Sequence, residues 1–262
     1  MKKKNIITLL CLVALIIAVF AVAVFKKPNS KDTQSLSAQS EQSSTAETSS
    51  VPTDDSMPSE SEPSKEVNTD ISIKDSLFIG DSRTVGLMEY AGLSDADFFC
   101  NVGMSVYNIN KKPVSVPNIG KVTFTELISE KKYGKIYIML GVNEIGYETK
   151  TTLSKYSELI SLIMKNQPDA TVFIEANLHV SKTRSDRDKT VNNAAIDRLN
   201  AELKKLADGK TVFYLDANTV FDDGTGNLPS DKTEDGTHLY AKYYAEWGRW
   251  IIDQTASLVG EG

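Results

Sequence analysis

Five short apolar runs, separated by longer segments with helical periodicity, are the feature that most limits how residues 71–262 can fold. Most of the runs are continuously apolar rather than alternating, which is typical of parallel strands that are covered on both faces. The pattern therefore predicts buried strands at residues 76–79, 97–102, 135–140, 171–176 and 211–215.

The segments between the runs place apolar side chains at the spacing of one helix face, which we expect to face the core. The stripes are Leu153, Tyr156, Ile160 and Ile163 or Met164; Ile196, Leu199, Leu203 and Leu206; and Leu239, Tyr243, Trp247, Trp250 and Ile251. Strands that alternate with helices predict an α/β fold, a three-layer α/β/α sandwich with a five-stranded parallel sheet.

The amino terminus predicts a membrane segment within residues 1–27. Residues 6–25 form an apolar run with one clearly polar residue, Thr8, and about 20 apolar residues are enough for a helix to cross a bilayer. More lysines precede the run than follow it, which favours a cytoplasmic start, a single-pass anchor and an extracytoplasmic remainder. Ala21-Val22-Ala23 resembles a cleavage site, so secretion after cleavage near Ala23 is the alternative.

Residues 28–70 are rich in Ser, Thr, Pro and Glu and contain no aromatic residue. Such a segment cannot bury enough apolar surface to offset the entropy cost of ordering, so we expect a disordered linker. Its composition leaves open whether it is glycosylated. The remaining residues, 71–262, have the size of one globular domain, and the sequence does not predict its oligomeric state.

Charge and metal-ligand content exclude several classes of function. The chain has a net charge of −6, and much of the acid lies in the linker, so no basic surface for nucleic acid is predicted. The two histidines, His179 and His238, are not spaced as metal ligands, so neither a zinc site nor a cofactor is predicted. Cys100 lies in an apolar segment and is expected to be a buried core residue.

Two motifs offer the groups for acyl transfer through a serine ester. Gly80-Asp81-Ser82 follows the first predicted strand, and Asp235-Gly236-Thr237-His238 precedes the last helical segment. They supply a nucleophile, a base and an orienting carboxylate. Gly103 follows the second strand and Gly141-Val142-Asn143 the third, so the first three motifs fall where the carboxyl ends of parallel strands form a ligand crevice.

Together these four blocks, in this order, resemble the SGNH hydrolase superfamily, also called the GDSL esterase family. The resemblance implies a flavodoxin-like layer arrangement, with Ser82 as nucleophile, His238 as base and Asp235 as the residue that orients the imidazole. It also implies an oxyanion hole formed by the backbone N–H groups of Ser82 and Gly103 and the side-chain amide of Asn143.

The chain departs from the family pattern at two positions that bear on the substrate rather than on the chemistry. Arg83 replaces the leucine of the GDSL sequence, and Glu144 stands where Asp is frequent. Four residues are candidate substrate contacts by position alone: Arg83, Glu144, Tyr147 and His179.

The motif residues also have structural interpretations. Ser82 or Asp235 could cap the helix beside it, and Asn143 could form an Asx-turn. The glycines could serve only tight turns. Asp81 is expected to order the nucleophile loop through hydrogen bonds.

The sequence therefore predicts a membrane-tethered, extracytoplasmic serine esterase without a cofactor. Small acyl groups, above all O-acetyl esters on cell-wall or surface glycans, are the expected substrate, because the linker lets the domain reach the polymer layer near the membrane. Two alternatives remain: an O-acetyltransferase that uses the same acyl-Ser82 intermediate with a sugar acceptor, and a catalytically inactive glycan-binding module.

Overall fold

The computed structural model describes residues 73–259, which lie within one compact unit. It contains seven strands: β1 (Ser76–Gly80), β2 (Asp97–Cys100), β3 (Val114–Val116), β4 (Gly120–Val122), β5 (Lys135–Met139), β6 (Thr171–Glu175) and β7 (Val212–Leu215). Five of them form a parallel sheet in the order β2-β1-β5-β6-β7. This confirms the predicted α/β fold with a five-stranded parallel sheet.

The strand ends and one small hairpin differ from the prediction. β2 stops at Cys100 rather than at residue 102, because a tight turn follows it, closed by a hydrogen bond from Met104 N to Asn101 O. The antiparallel pair of β3 and β4 was not predicted. Each of these strands has three residues, too few for an alternating pattern to stand out.

Helices cover both faces of the sheet. They are α1 (Ser82–Tyr90), α2 (Phe124–Glu130), α3 (Thr149–Asn166), α4 (Lys182–Arg187), α5 (Asn193–Lys204), α6 (Asn218–Phe221) and α7 (Ala241–Val259), with short 3-10 helices at Val142–Glu144 and Ser230–Lys232. The predicted stripe on α7 faces the core: Trp247 and Ile251 are buried, and Tyr243 and Trp250 are half-buried against the same cluster. Tyr244, which was not predicted, is also buried, and Leu239 is buried just before the helix begins. Leu206 lies beyond the end of α5 and is also only partly buried.

One face of the sheet carries a continuous row of aromatic rings, one from each strand. In sheet order the rings belong to Phe98, Phe78, Tyr137, Phe173 and Phe213, with centroids 5.0, 4.4, 4.9 and 5.7 Å apart. These residues are paired in register, so the stack follows from the strand alignment. α1 and α7 cover this face, while α2, α3 and α5 enclose a second core on the other face.

The chain reverses its direction of winding beside β1, and this reversal positions the site. From β1 the chain moves outward to β2, and it then crosses to β5 on the other side of β1. In parallel α/β sheets a crevice forms at such a point, beyond the carboxyl ends of the strands. The segments that follow β1, β2 and β5 contain Ser82, Gly103 and Asn143.

The predicted anchor at residues 1–27 and linker at 28–70 lie outside the described residues. Between residues 73 and 259, no helix is long and apolar enough to cross a bilayer. Cys100 is buried, as predicted, and burial raises the pKa of its thiol to about 12.

Candidate active site

Ser82 is the first residue of α1, at the end of the β1–α1 turn. Asp81 is the cap of this helix, and its Oδ1 accepts a hydrogen bond from Arg83 N at 3.0 Å. Ser82 is therefore not the capping residue, which leaves its hydroxyl available for another partner. That partner is His238, whose Nε2 lies 2.8 Å from Ser82 Oγ.

The second half of the site is the loop before α7. His238 Nδ1 lies 2.6 Å from Asp235 Oδ2, while Asp235 Oδ1 accepts the backbone N–H groups of Thr237 and His238, each at 2.8 Å. The turn requires Gly236, whose φ is +78° and whose missing side chain leaves room for Ser181 and Arg184. A carboxylate held in this way fixes the proton of His238 on Nδ1 and leaves Nε2 free to accept from Ser82.

Asp235 remains a strong hydrogen-bond acceptor although its side chain is 54% exposed. Burial of part of the group would raise its pKa, but the hydrogen bonds from His238 and Thr237 outweigh this and lower the pKa to about 2. Asp235 is therefore ionised at any pH at which an imidazole can act as a base.

The three predicted oxyanion donors lie on the segments that follow β1, β2 and β5. The N–H of Ser82 belongs to the first turn of α1, where backbone donors have no partner within the helix. Gly103 has a φ of +74° as the third residue of the turn closed by Met104 N and Asn101 O, so that turn does not use its N–H. Asn143 Nδ2 donates to Met104 O at 3.0 Å and to Asp81 Oδ2 at 3.3 Å.

Arg83 does not occupy a position for substrate contact, contrary to its prediction as a candidate. Its side chain is only 1% exposed, and Nε donates to Thr237 O at 3.4 Å, which links α1 to the His238 loop. Burial raises the pKa of the neighbouring Asp81, opposed by the charge of Arg83 and the hydrogen bond from its backbone N–H. Arg83 thus lies beneath the site rather than at its surface.

Glu144 is likewise a buried residue rather than an exposed contact. It is 2% exposed, and its Oε1 accepts a hydrogen bond from Val106 N at 2.8 Å, so it joins the loop after β5 to the loop after β2. Burial raises the pKa of this carboxyl to about 7, although the Val106 N–H acts in the opposite direction.

The remaining two candidates differ from each other. Tyr147 is 62% exposed and stacks on Tyr107, with ring centroids 4.8 Å apart, so it is accessible to a ligand.

His179 is buried between two carboxylates, with Nδ1 2.7 Å from Asp222 Oδ2 and Nε2 2.7 Å from Asp197 Oδ1. Burial would lower its pKa, but these hydrogen bonds dominate and raise it. Both ring nitrogens of His179 are therefore engaged within the protein.

A serine, a histidine and a carboxylate in hydrogen-bonded series, at the carboxyl edge of a parallel sheet, agree with a match to a protein family. The model of the GDSL-like lipase/acylhydrolase family matches residues 78–245, which include all four sequence blocks. The chain belongs to this family. Hydrolase chemistry at the level of the family follows from that membership. The chain has no significant match among curated protein sequences.

Solved structures support the same fold for this GDSL-like protein. A candidate platelet activating factor from Streptococcus pneumonia is 20% identical, with a TM-score of 0.54, and the match covers 73% of this chain and 87% of that one. A candidate acylhydrolase from Bacteroides fragilis is 17% identical, with a TM-score of 0.53, covering 70% and 88%. A GDSL-like lipase from Bacteroides thetaiotaomicron is 15% identical, with a TM-score of 0.53, also covering 70% and 88%.

Several residues around the site of this GDSL-like protein were not found from sequence. They are Tyr107, which supports Tyr147, the His179 partners Asp197 and Asp222, and two cations near Tyr147, Lys189 and Arg198. Each lies far along the chain from the residue it accompanies, so no local pattern could have identified it. Among residues 73–259, no group of three or more His, Cys, Asp or Glu side chains is arranged to hold a metal ion.

Proposed function

We propose that this protein is an extracytoplasmic, membrane-tethered serine esterase that removes small acyl groups, most notably O-acetyl groups on cell-wall or surface glycans. The observation that carries the catalytic part of the proposal is the continuous series from Ser82 Oγ through His238 to Asp235 Oδ2, with distances of 2.8 and 2.6 Å. The substrate and location rest on further arguments.

In the acylation step Ser82 Oγ attacks the ester carbonyl carbon while its proton moves to His238 Nε2. Asp235 stabilises the resulting imidazolium and keeps its orientation. When the tetrahedral intermediate collapses, the C–O bond to the alcohol breaks and His238 returns the proton to the departing oxygen. The product on the enzyme is an acyl ester of Ser82.

We assign the stabilisation of the negative charge that develops on the carbonyl oxygen to donors on the segments that follow β1, β2 and β5. Ser82 N–H and Gly103 N–H act as backbone donors, and Asn143 supplies the side-chain donor. Because Asn143 Nδ2 contacts Asp81 at the longer distance of 3.3 Å, we assign that N–H to the oxyanion and the N–H bonded to Met104 O to holding the amide in place.

Hydrolysis is favoured over transfer by the exposure of the triad. The side chain of His238 is 39% exposed and that of Asp235 is 54% exposed, so water can reach the base that activates it. A transferase has to exclude water from the acyl-enzyme in favour of a sugar hydroxyl. Water is therefore the acceptor that this site favours.

A small acyl group on a polar carrier is favoured over a lipid. Enzymes that act at a lipid surface need a contiguous exposed apolar patch. Among residues 73–259, the exposed large apolar side chains come from different segments of the chain, apart from two neighbours at the end of α7: Tyr90, Val102, Ile119, Tyr147, Val220, Tyr240, Leu258 and Val259. A surface of this kind is better suited to a glycan ester than to an acyl lipid.

The proposed location rests on the sequence before the described residues. Residues 6–25 are long and apolar enough to form an anchor, and residues 28–70 have the composition of a flexible spacer. A flexible chain of this length has a mean reach of about 35 to 40 Å, which would allow the catalytic domain to act on polymers next to the membrane.

The catalytic proposal is tested with Ser82→Ala and p-nitrophenyl acetate. We expect kcat to fall by about 10⁴-fold or more, because the nucleophile is lost. A fluorophosphonate probe should label the wild-type protein at Ser82 and leave the variant unlabelled. Ser161→Ala, at an exposed serine on α3, is the matched control and should retain both activity and labelling.

Two outcomes would contradict the proposal. Full esterase activity in Ser82→Ala would exclude Ser82 as the nucleophile, and a folded wild-type domain that the probe does not label would indicate a binding module. With an acetylated donor and a glycan acceptor present together, release of free acetate supports the esterase, whereas a newly acetylated glycan identifies a transferase.

A further inference from the structure

A pocket of about 350 Å³ is lined by Glu144, the residue that follows Asn143, and by residues of α3, of α5 and of the segment before α5. One wall is the segment that leads into α3 and includes Glu144 and Tyr147; the other is formed by Lys189, Thr190 and the first turns of α5. Because Glu144 and Asn143 belong to the same 3-10 helix, this pocket is the candidate place for the part of a substrate that is not cleaved.

Two cations line this pocket without a carboxylate partner. Lys189 and Arg198 are both exposed, and neither forms an ion pair with another residue in the described part of the chain. Unpaired Lys and Arg side chains together in a concave site attract anions, and Arg also presents a planar fork of donors that matches carboxylate and phosphate groups.

The acidic residues adjacent in sequence do not neutralise the two cations, because other groups engage them. Asp188 pairs with Arg184 at 3.0 Å, and Asp197 is bonded to His179 at 2.7 Å. Glu148 accepts the N–H groups of Lys150 and Thr151 as the cap of α3. Glu144, which also lines the pocket, is only 2% exposed, and its Oε1 accepts from Val106 N. The exposed charges that line the pocket are therefore positive, in a chain whose net charge is −6.

An aromatic platform borders the same pocket. Tyr147 is 62% exposed and stacks on Tyr107, whose hydroxyl is 2.9 Å from Thr152 Oγ1, so the pair is held in place from α3. Exposed aromatic rings pack well against the apolar faces of sugar rings. Tyr147 and the two cations line the same pocket. The pocket therefore suits a sugar that carries a negative charge.

We propose that this pocket binds an anionic group, a carboxylate or a phosphate, of the glycan that carries the ester, with Lys189 and Arg198 as its ligands and Tyr147 as the surface for the sugar ring. This inference rests on the proposed function and specifies its substrate class: acyl esters on polyanionic rather than neutral glycans. Neutral glycan esters lack the group that the two cations bind.

The test compares kcat/KM for three acetylated polymers at low ionic strength: neutral cello-oligosaccharides, a polygalacturonate that carries carboxylates, and a glycerol-phosphate polymer that carries phosphodiesters. We expect the wild-type protein to prefer one or both anionic polymers over the neutral one. Which of the two it prefers distinguishes a carboxylate from a phosphate. Added salt should reduce the preference, because exposed charges are screened.

The variant Lys189→Glu/Arg198→Glu should lower the ratio of kcat/KM for the preferred anionic polymer to that for the neutral polymer by about tenfold, equivalent to about 1.4 kcal/mol. The milder pair Lys189→Gln/Arg198→Gln should lower the ratio less and covers the case in which charge reversal impairs folding. The matched control is Lys165→Glu/Lys210→Glu, at two exposed lysines, one in the last turn of α3 and the other before β7, near the amino ends of the strands. It should keep the wild-type ratio.

Equal kcat/KM of the wild-type protein for the neutral and anionic polymers would overturn the inference. An equal fall of the ratio in the control variant would also overturn it, because the effect would then reflect net charge rather than the pocket. Failure of the proposed function gives a different result: the wild-type protein would not hydrolyse p-nitrophenyl acetate faster than Ser82→Ala does.

Discussion

Asn143 is the residue whose hydrogen bonds relate most directly to the chemistry. In the free protein its amide donates to Met104 O and to Asp81 Oδ2. The bond to Met104 O holds the amide in place, and the N–H on the longer contact, 3.3 Å from Asp81 Oδ2, has to turn from Asp81 to the oxyanion when charge develops in the transition state. The Asx-turn that the sequence allowed at this position is not what its side chain forms.

Asn143→Ala should therefore reduce kcat for p-nitrophenyl acetate by about 10²- to 10³-fold with a smaller change in KM, because one oxyanion donor is lost. Steady-state kinetics measure both parameters. Asn110→Ala, at an exposed asparagine in the loop before β3, is the matched control. A loss in Asn143→Ala confined to KM would show that Asn143 binds the ground state instead.

At the scale of secondary-structure elements, the packing of α1 against α7 fixes the position of Ser82, the first residue of α1. Gly86 lies in the middle of α1, where glycine normally weakens a helix. In the structure the ring of Tyr244, on α7, occupies the space where a side chain at position 86 would lie. Tyr244 is itself buried and stacks near Trp247, at 5.9 Å between centroids, so it cannot easily move away. The close contact between α1 and α7 therefore requires a glycine at position 86.

Gly86→Ala should destabilise the domain by about 1 to 3 kcal/mol, because the cost of overpacking exceeds the gain in helix propensity of about 1 kcal/mol. Thermal or urea unfolding measures the change. Glu89→Ala, on the exposed side of the same helix, improves propensity without touching Tyr244 and should be neutral or slightly stabilising. A stabilised Gly86→Ala protein would show that the ring of Tyr244 does not occupy the space beside position 86.

At the scale of the whole molecule, two buried glutamates link stability to pH. Burial raises the pKa of Glu144 to about 7 and that of Glu175 to about 8. A carboxyl group whose pKa is higher in the folded state binds more protons there than in the unfolded state. Stability therefore falls as the pH rises from the unfolded pKa to the folded pKa.

Glu144→Gln removes one of these two contributions. Because Gln stays neutral and can still accept from Val106 N, the variant should gain stability relative to the wild-type protein by about 2 kcal/mol between pH 5 and pH 8. Urea unfolding at several pH values measures the difference, to which Glu175 contributes equally in both proteins. Glu130→Gln, at the exposed end of α2, should show no such trend. A difference that does not grow with pH would contradict the raised pKa.

Much of the architecture could be predicted because it depends on local patterns. Continuous apolar runs identified all five strands of the sheet, and helical spacing identified the faces of α3 and α5. On α7 the spacing identified Trp247 and Ile251 but missed Tyr244, because Tyr243 and Tyr244 are both aromatic and sequence spacing does not decide which of them is buried more deeply. The β3–β4 hairpin was missed because it is short.

The sequence by itself determined the order of the strands along the chain and the four motif blocks, because each depends on neighbours within a few residues. It also placed Ser82, Gly103 and Asn143 directly after strands, and Asp235 and His238 before the last helix. Only the tertiary structure decided the environments of the side chains. It buried Arg83 and Glu144 and paired His179 with two aspartates. It also brought Lys189 and Arg198 into one pocket with Tyr147, with no ion-pair partner for either cation among residues 73–259. The physical reason is that burial and charge pairing depend on contacts between residues far apart in the chain, which no local pattern encodes.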